Sequence, residues 1–526
     1  MSVRISLDNP PEFYTNLDLV TGRIILSLNR PEQVSGIVVK LEGESNTALA
    51  MPLNSPPGAY PATKTGPGEA LSEAHKILYK VQQVFPEQTN PYGPTALPLQ
   101  PGQHQFPFKF KMPMNNICGN PQDMARLGGV VGMGGFGSGG VRVMDGSKQL
   151  MYKHVLRTLP PSLTGFPREA EIRYYIKVTI QRPGLFKENW RFQQGLKFLP
   201  IEPPRPKATN QEAFARRPFT FRPMSPAPAL KQKSSFFGKP KDVVPPGTDK
   251  IPPSVEVSAR LPHPPILTCN KPIPLRLVAK KIVDSQEIVY ISSLEINLIG
   301  RTRVKSYDLV NMEMSRWVVC SRSGLAIPVG LPGDAVGTES SLPNTIWQMA
   351  PLPNTITPSF ITCNLQRTYE LELKLGLTWG TIPQGGRHRH ADMAPQSIFL
   401  PLHFSKVEVF SGIEPPAALL EATNARPPRP SPRPTATQNG PPLPARPPVS
   451  VTMSAPAVPQ QQPVDPLFPP QLGTPQAAIY EQAPPSYDEA MAENMTSTVS
   501  DGNRPAYSGE TNENAPSLIP GDEGKR

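Results

Sequence analysis

Residues 172–180 constrain the fold more than any other stretch. Ile172, Tyr174, Ile176, Val178 and Ile180 alternate with Arg173, Tyr175, Lys177 and Thr179. A period of two sends one set of side chains to each face of an extended strand, so one face is apolar and the other polar. The pattern recurs through residues 1–200. Val3, Ile5 and Leu7 alternate with Arg4 and Ser6, and Ile24, Leu26 and Leu28 with Ile25 and Ser27. Ile37, Val39 and Leu41 follow, then Ile77, Tyr79 and Val81, then Phe106, Phe108 and Phe110. It resumes beyond residue 253 with Leu275 and Leu277, with Leu294, Ile296 and Leu298, with Tyr369 to Leu377, and with Phe404, Val407 and Val409. Many short half-buried strands separated by Gly and Pro predict an all-β protein of antiparallel sandwiches. The stretch Ile37 to Gly43 resembles Leu294 to Gly300, each an alternating strand ending in Gly. That likeness predicts two sandwiches of related build, over 1–202 and 253–411.

The intervening stretches have a different composition. Residues 49–70 are rich in Pro, Gly and Ala, and residues 119–150 contain Gly128 to Gly140, so both read as loop insertions. Residues 203–252 carry 10 Lys and Arg against 3 Asp and Glu, with Arg216-Arg217 and four lysines around Phe236-Phe237. Proline and charge predict a linker there. Residues 412–526 hold 24 of the 71 prolines and few aromatic residues, which predicts a disordered tail. The net charge of +11 is split between a tail of −5 and residues 1–411 at +16. A basic body suits acidic or phosphorylated partners or an anionic membrane surface. Nucleic acid is not expected, because no zinc-finger, basic-zipper or RNA-binding motif is present.

The tail carries Pro484-Pro485-Ser486-Tyr487, followed by Asp488-Glu489-Ala490-Met491. Paired prolines preset a polyproline II segment that docks in an aromatic groove with little entropy left to lose. Tyr487 can fill the next pocket with its ring and hydrogen-bond through its hydroxyl. Pro484, Pro485 and Tyr487 are therefore the candidate WW-domain-binding residues. Upstream, Pro441, Pro444 and Arg446 fit a P-x-x-P motif with a basic residue, a candidate SH3-type site.

Met1 to Gly43 resembles the start of an arrestin N-terminal domain, through Ile5 to Asp8, Tyr14, Asp18 to Ile24 and Val39 to Gly43. Leu99 to Gly102 with Phe106 to Phe110 and Pro113, and Leu159 to Leu163 with Ile172 to Tyr174, match the same pattern. Residues 255–411 resemble the arrestin C-terminal domain. With the tail motif, the chain is similar to the alpha-arrestins, the arrestin-related trafficking adaptors of fungi. The resemblance implies an adaptor and not an enzyme. Its body binds a plasma-membrane transporter or receptor, and its tail recruits a WW-domain HECT-type ubiquitin ligase. The client is then ubiquitinated, endocytosed and sorted. It also implies a cytoplasmic protein recruited to the plasma membrane and endosomes, with peripheral membrane association. The alternative is a signalling or trafficking scaffold of the same fold that gathers WW and SH3-type partners without ubiquitin transfer. The glycine-rich insert departs from the family pattern.

Other signals carry less. Met1 to Ile5 lack the apolar run of a signal peptide, and no stretch approaches the roughly 20 apolar residues of a spanning helix. Cys118, Cys269, Cys320 and Cys363 lack paired spacing, as in a reducing compartment. Gly132, Gly134 and Gly137 match G-x-G-x-x-G without the strand and helix that a dinucleotide site needs. His388 and His390 flank Arg389 without a third metal ligand. No cofactor and no catalytic constellation is implied. Arg173 alternates onto the polar face and reads as a surface arginine, the alternative being a buried ionic cluster of the kind that phosphate disrupts in some arrestins. Residues 412–526 contain one lysine, Lys525. A ligase docked at Tyr487 must therefore modify the client or the body.

Overall fold

The computed structural model describes residues 1–51, 70–86, 96–115, 158–166, 169–184, 187–207, 209–222, 251–379, 396–417, 420 and 504–509. Nearly every element among them is a strand. In the N-terminal half, β1 (Ser2–Leu7), β2 (Leu19–Leu28) and β7 (Gly102–Lys111) form one antiparallel sheet. Facing it, β10 (Trp190–Leu196), β9 (Ala170–Gln181), β4 (Gly36–Ala50) and β5 (Ala70–Phe85) lie in that order, with β8 (Leu163–Phe166) on β9. A small ladder joins β3 (Glu32–Val34) to β6 (Leu97–Leu99). Ile24 and Leu26 from one layer meet Val39, Leu41, Ile176 and Val178 from the other in a shared core, all fully buried. The inward set is the one that the alternation marked, except in β5, where an irregular register at Ile77 puts Leu78 in the core and turns Tyr79 and Val81 to the face of Glu42 and Lys40.

The C-terminal half repeats the plan. One sheet runs β11 (Glu212–Thr220), β12 (Ser254–Pro262), β14 (Arg276–Lys281) and β17 (Glu339–Ser341). The other runs β13 (Ile266–Thr268), β20 (Gln396–Phe410), β19 (Leu365–Trp379), β15 (Val289–Ser306) and β16 (Leu309–Pro328), with β18 (Phe360–Ile361) on β19. Val257, Leu277, Ile296, Leu373 and Leu402 fill the space between them.

The matched glycines have one physical role. A Cβ on Gly43 would stand 2.7 Å from the Tyr174 ring, and one on Gly300 would stand 2.6 Å from the Arg367 guanidinium. Gly43 lies opposite Tyr174 and Gly300 opposite Tyr369. Both tyrosines are buried, and each hydroxyl donates to a backbone carbonyl upstream, Pro160 O and Thr357 O. The two sandwiches thus share a glycine–tyrosine–carbonyl unit on a central strand.

Two boundaries differ from the sequence reading. Part of the expected linker 203–252 is the strand β11, which pairs along its whole length with β12. Its inward residues are Ala213, Ala215 and Phe219, too small or too sparse to stand out beside Arg216-Arg217. Pro218 is tolerated because β11 is an edge strand. Leu49, Ala50 and Ala70, at the rims of the expected insertion 49–70, are paired, Leu49 with Leu71 and Ala50 with Ala70. The insertion 119–150 lies outside the described residues.

A polar seam joins the sandwiches. Ser45 Oγ donates to Asn364 Oδ1 at 2.7 Å, and Asn364 Nδ2 donates to Ser45 O at 2.9 Å. Thr47 Oγ1 donates to Lys305 O, and Ser306 Oγ to Leu71 O, both at 2.6 Å. Val304 and Leu365 from the C-terminal half are buried in the N-terminal core. These contacts fix the two halves against each other as apolar burial and satisfied polar groups fix a domain interior.

Candidate functional site

Among the described residues, the polar face of the β10-β9-β4-β5 sheet holds a dense charge cluster. Strand register builds it: Lys40 lies opposite Lys177, Glu42 opposite Tyr175, and Glu44 opposite Arg173. Arg173 donates through Nε and Nη2 to Glu44 Oε2 at 3.0 and 2.8 Å. Lys76 of β5 bonds both Glu42 and Glu44 and donates to the Tyr175 hydroxyl at 3.1 Å. That hydroxyl lies 2.8 Å from Glu42 and 2.7 Å from Glu44, so its one proton is shared between two carboxylates. Arg173 is therefore not the surface arginine that alternation implied. It is on the expected face, but it is three-quarters buried in an ion network.

The electrostatics follow from that packing. Burial alone would raise the Glu44 carboxyl. The Lys76 charge and hydrogen bonds from Lys76, Tyr175 and Arg173 outweigh it and hold the group at about 2. Glu42 is likewise lowered, by Lys76 and Lys40, against its burial. Burial, then the two glutamates, raises Tyr175. Ion pairs and hydrogen bonds tie Glu42, Glu44, Lys76, Arg173 and Tyr175 to one another, so the network acts as a lock between β4, β5 and β9.

Beyond the lock the same face is basic. The Lys40 ammonium stands 5.3 Å from the Tyr79 ring centroid. Its pKa is lowered, first by burial and then by Lys177, Lys76 and Arg191, with Glu42 opposing. Like charges placed directly across a sheet disfavour each other. Lys40 is buried, and the more exposed Lys177 and Arg191 of this crowded set suit an anionic partner.

A second concave feature lies where the halves meet, a groove of about 350 Å³ between Thr158–Pro161 and Pro200–Pro203 on one side and Phe360, Arg367, Lys406 and Glu408 on the other. Arg367 is 1% exposed. Its guanidinium sits 5.1 Å from the Trp317 ring, 5.2 Å from Tyr369 and 6.0 Å from Phe166, which belongs to the N-terminal half. The sequence reading passed over this arginine, although it shares the inward parity of Leu365, Tyr369 and Leu371 in β19, and a charged residue in an apolar register is the signal that could have found it.

The motif residues Pro484, Pro485 and Tyr487, the SH3-type set Pro441, Pro444 and Arg446, the glycines Gly132, Gly134 and Gly137, and His388 and His390 lie outside the described residues. Among the described residues no group of three or more His, Cys, Asp or Glu is arranged to hold a metal ion, and no helix is long and apolar enough to cross a membrane. Cys269 and Cys320 are buried thiols, and burial raises Cys269 to about 12.

Residues 3–127 match the family described as Arrestin (or S-antigen), N-terminal domain. The fold is all-β with two antiparallel sandwiches, and the family match lies in the first. A stretch of 123 residues, 22% of this chain, is 27% identical to arrestin-related trafficking adapter 10 of Lachancea thermotolerans. The match spans 28% of that protein's length.

Proposed function

We propose that this chain is a non-catalytic trafficking adaptor that links a membrane transporter or receptor to a WW-domain HECT-type ubiquitin ligase. The observation that carries the reading is the joint presence of an arrestin N-terminal domain and Pro484-Pro485-Ser486-Tyr487 on one chain. The relative named as a trafficking adapter supports the same role. In this reading the double sandwich presents Lys177 and Arg191, with Lys40 buried beneath them, to acidic segments of the client. The motif holds the ligase, and ubiquitin is transferred to the client, which is endocytosed. The protein then works in the cytoplasm and is recruited to the plasma membrane and endosomes.

The test is a pull-down of full-length chain against Tyr487→Ala. Ligase recovery and client turnover are both expected to fall. Unchanged ligase recovery sinks the reading. Ligase binding that never alters client levels favours instead a scaffold that gathers WW partners, and SH3-type partners through Pro441, Pro444 and Arg446, without ubiquitin transfer.

A further inference from the structure

Residues 504–509 lie against the body across the junction of the two sandwiches, 91 positions after Ile413. The Arg504 Nη2 atom lies 3.1 and 3.0 Å from the two carboxylate oxygens of Asp18. Its Nη1 donates to the carbonyl of Phe13, and the guanidinium stands 5.5 Å from the Phe13 ring. Tyr507 packs on the small apolar cluster of Phe13, Leu199, Ile201 and Ile413. Lys197 Nζ donates to the Tyr507 hydroxyl at 2.8 Å and lies 4.2 Å from its ring centroid.

The C-terminal half completes the grip. Asn354, 3% exposed, uses its side-chain amide as a strand would. Its Nδ2 donates to Ala506 O at 2.9 Å, and its Oδ1 accepts from Ser508 N at 2.7 Å. Its own backbone N–H donates to Ser508 Oγ at 3.3 Å. The Asp18 carboxylate, which also accepts from the Thr15 N–H at 2.8 Å, and the Asn354 amide thus both bond one tail peptide and are buried with it in place. Buried polar groups are costly when unmatched, so such a pair specifies its ligand.

We propose that Arg504-Pro505-Ala506-Tyr507-Ser508 is a cis-acting peptide ligand of the cleft between the sandwiches, and that its seating closes residues 414–503 into a loop carrying the docking motif. The geometric consequence is a tether. Tyr487 is 17 positions from Arg504 and 74 from Ile413. At roughly 3.4 Å per residue the seated peptide keeps Tyr487 within about 60 Å of the cleft, against about 250 Å if it were held from Ile413 alone. Resting on the ligase reading above, this confines the ligase to the reach of a client held by the body.

The test uses a labelled peptide of residues 500–512, titrated by fluorescence anisotropy against the full chain and against full chain carrying Arg504→Glu with Tyr507→Ala. Both substitutions lie outside the sandwiches, and unchanged melting confirms that the body is intact. The variant, its cleft vacated, is expected to bind the peptide about tenfold more tightly than wild type, where the tethered copy competes at an effective concentration on the order of 1 mM or somewhat below. A peptide bearing the same two substitutions is expected to bind neither chain. Equal affinity for both chains, or no binding to the variant, overturns the proposal. A WW domain titrated against Tyr487→Ala reports separately on the ligase reading, so either idea can fail alone.

Discussion

Replacing Glu44 by Gln removes one charge from the lock and keeps its shape. The carboxyl sits at about 2 against an ordinary 4.5, so its ionised form is favoured in the folded state. At about 1.4 kcal/mol per pH unit, that gap corresponds to about 3 kcal/mol. Arg173 is a quarter exposed, and screening there reduces the figure, so the expected loss is about 2 kcal/mol. The sign is fixed by linkage. A carboxylate lowered on folding stabilises the protein above its unfolded pKa, and that contribution is lost as pH falls through the folded one. Wild type and Glu44→Gln should therefore differ fully at pH 7, and the difference should close between about pH 4.5 and 2. Hydrogen exchange on peptides covering β4 and β9, taken as opening free energies across that range, isolates the N-terminal sandwich from the other. A difference that does not vary with pH, or no difference at pH 7, would refute the assignment of the shift to this network.

Gly300→Ala should lower stability by about 2 kcal/mol, because the new methyl must displace a guanidinium boxed in by aromatic rings; thermal melting checks it. Tyr487→Ala should weaken WW-domain binding more than tenfold, about 2 kcal/mol for an aromatic anchor, as measured by calorimetry. Lys177→Glu with Arg191→Glu should weaken binding of an acidic client peptide and flatten its salt dependence, read by titration at two ionic strengths. If the chain is itself ubiquitinated, mass spectrometry should place the modified lysines in residues 1–411, since the tail offers only Lys525.

Sequence by itself determined most of the strands and their faces, with β11 and the faces of β5 as the exceptions. Ile172, Tyr174, Ile176, Val178 and Ile180 face the core because strand geometry is local and has a period of two. The likeness of Ile37–Gly43 to Leu294–Gly300 marked two equivalent central strands for the same reason. The proposed docking motif rests on sequence alone, since a polyproline II ligand needs only its own consecutive residues. What alternation could not supply was partners. Arg173 was placed on the right face and given the wrong environment, because Glu44, 129 positions away, arrives only through sheet pairing. The strand β11 was hidden because an edge strand needs few large apolar residues and its identity lies in its ladder with β12. The seat of Arg504 on Asp18 joins positions 486 apart, and neither residue has a local pattern that points to the other. Burial, charge pairing and the cleft that holds the tail are sums over distant segments, so only the tertiary structure decided them.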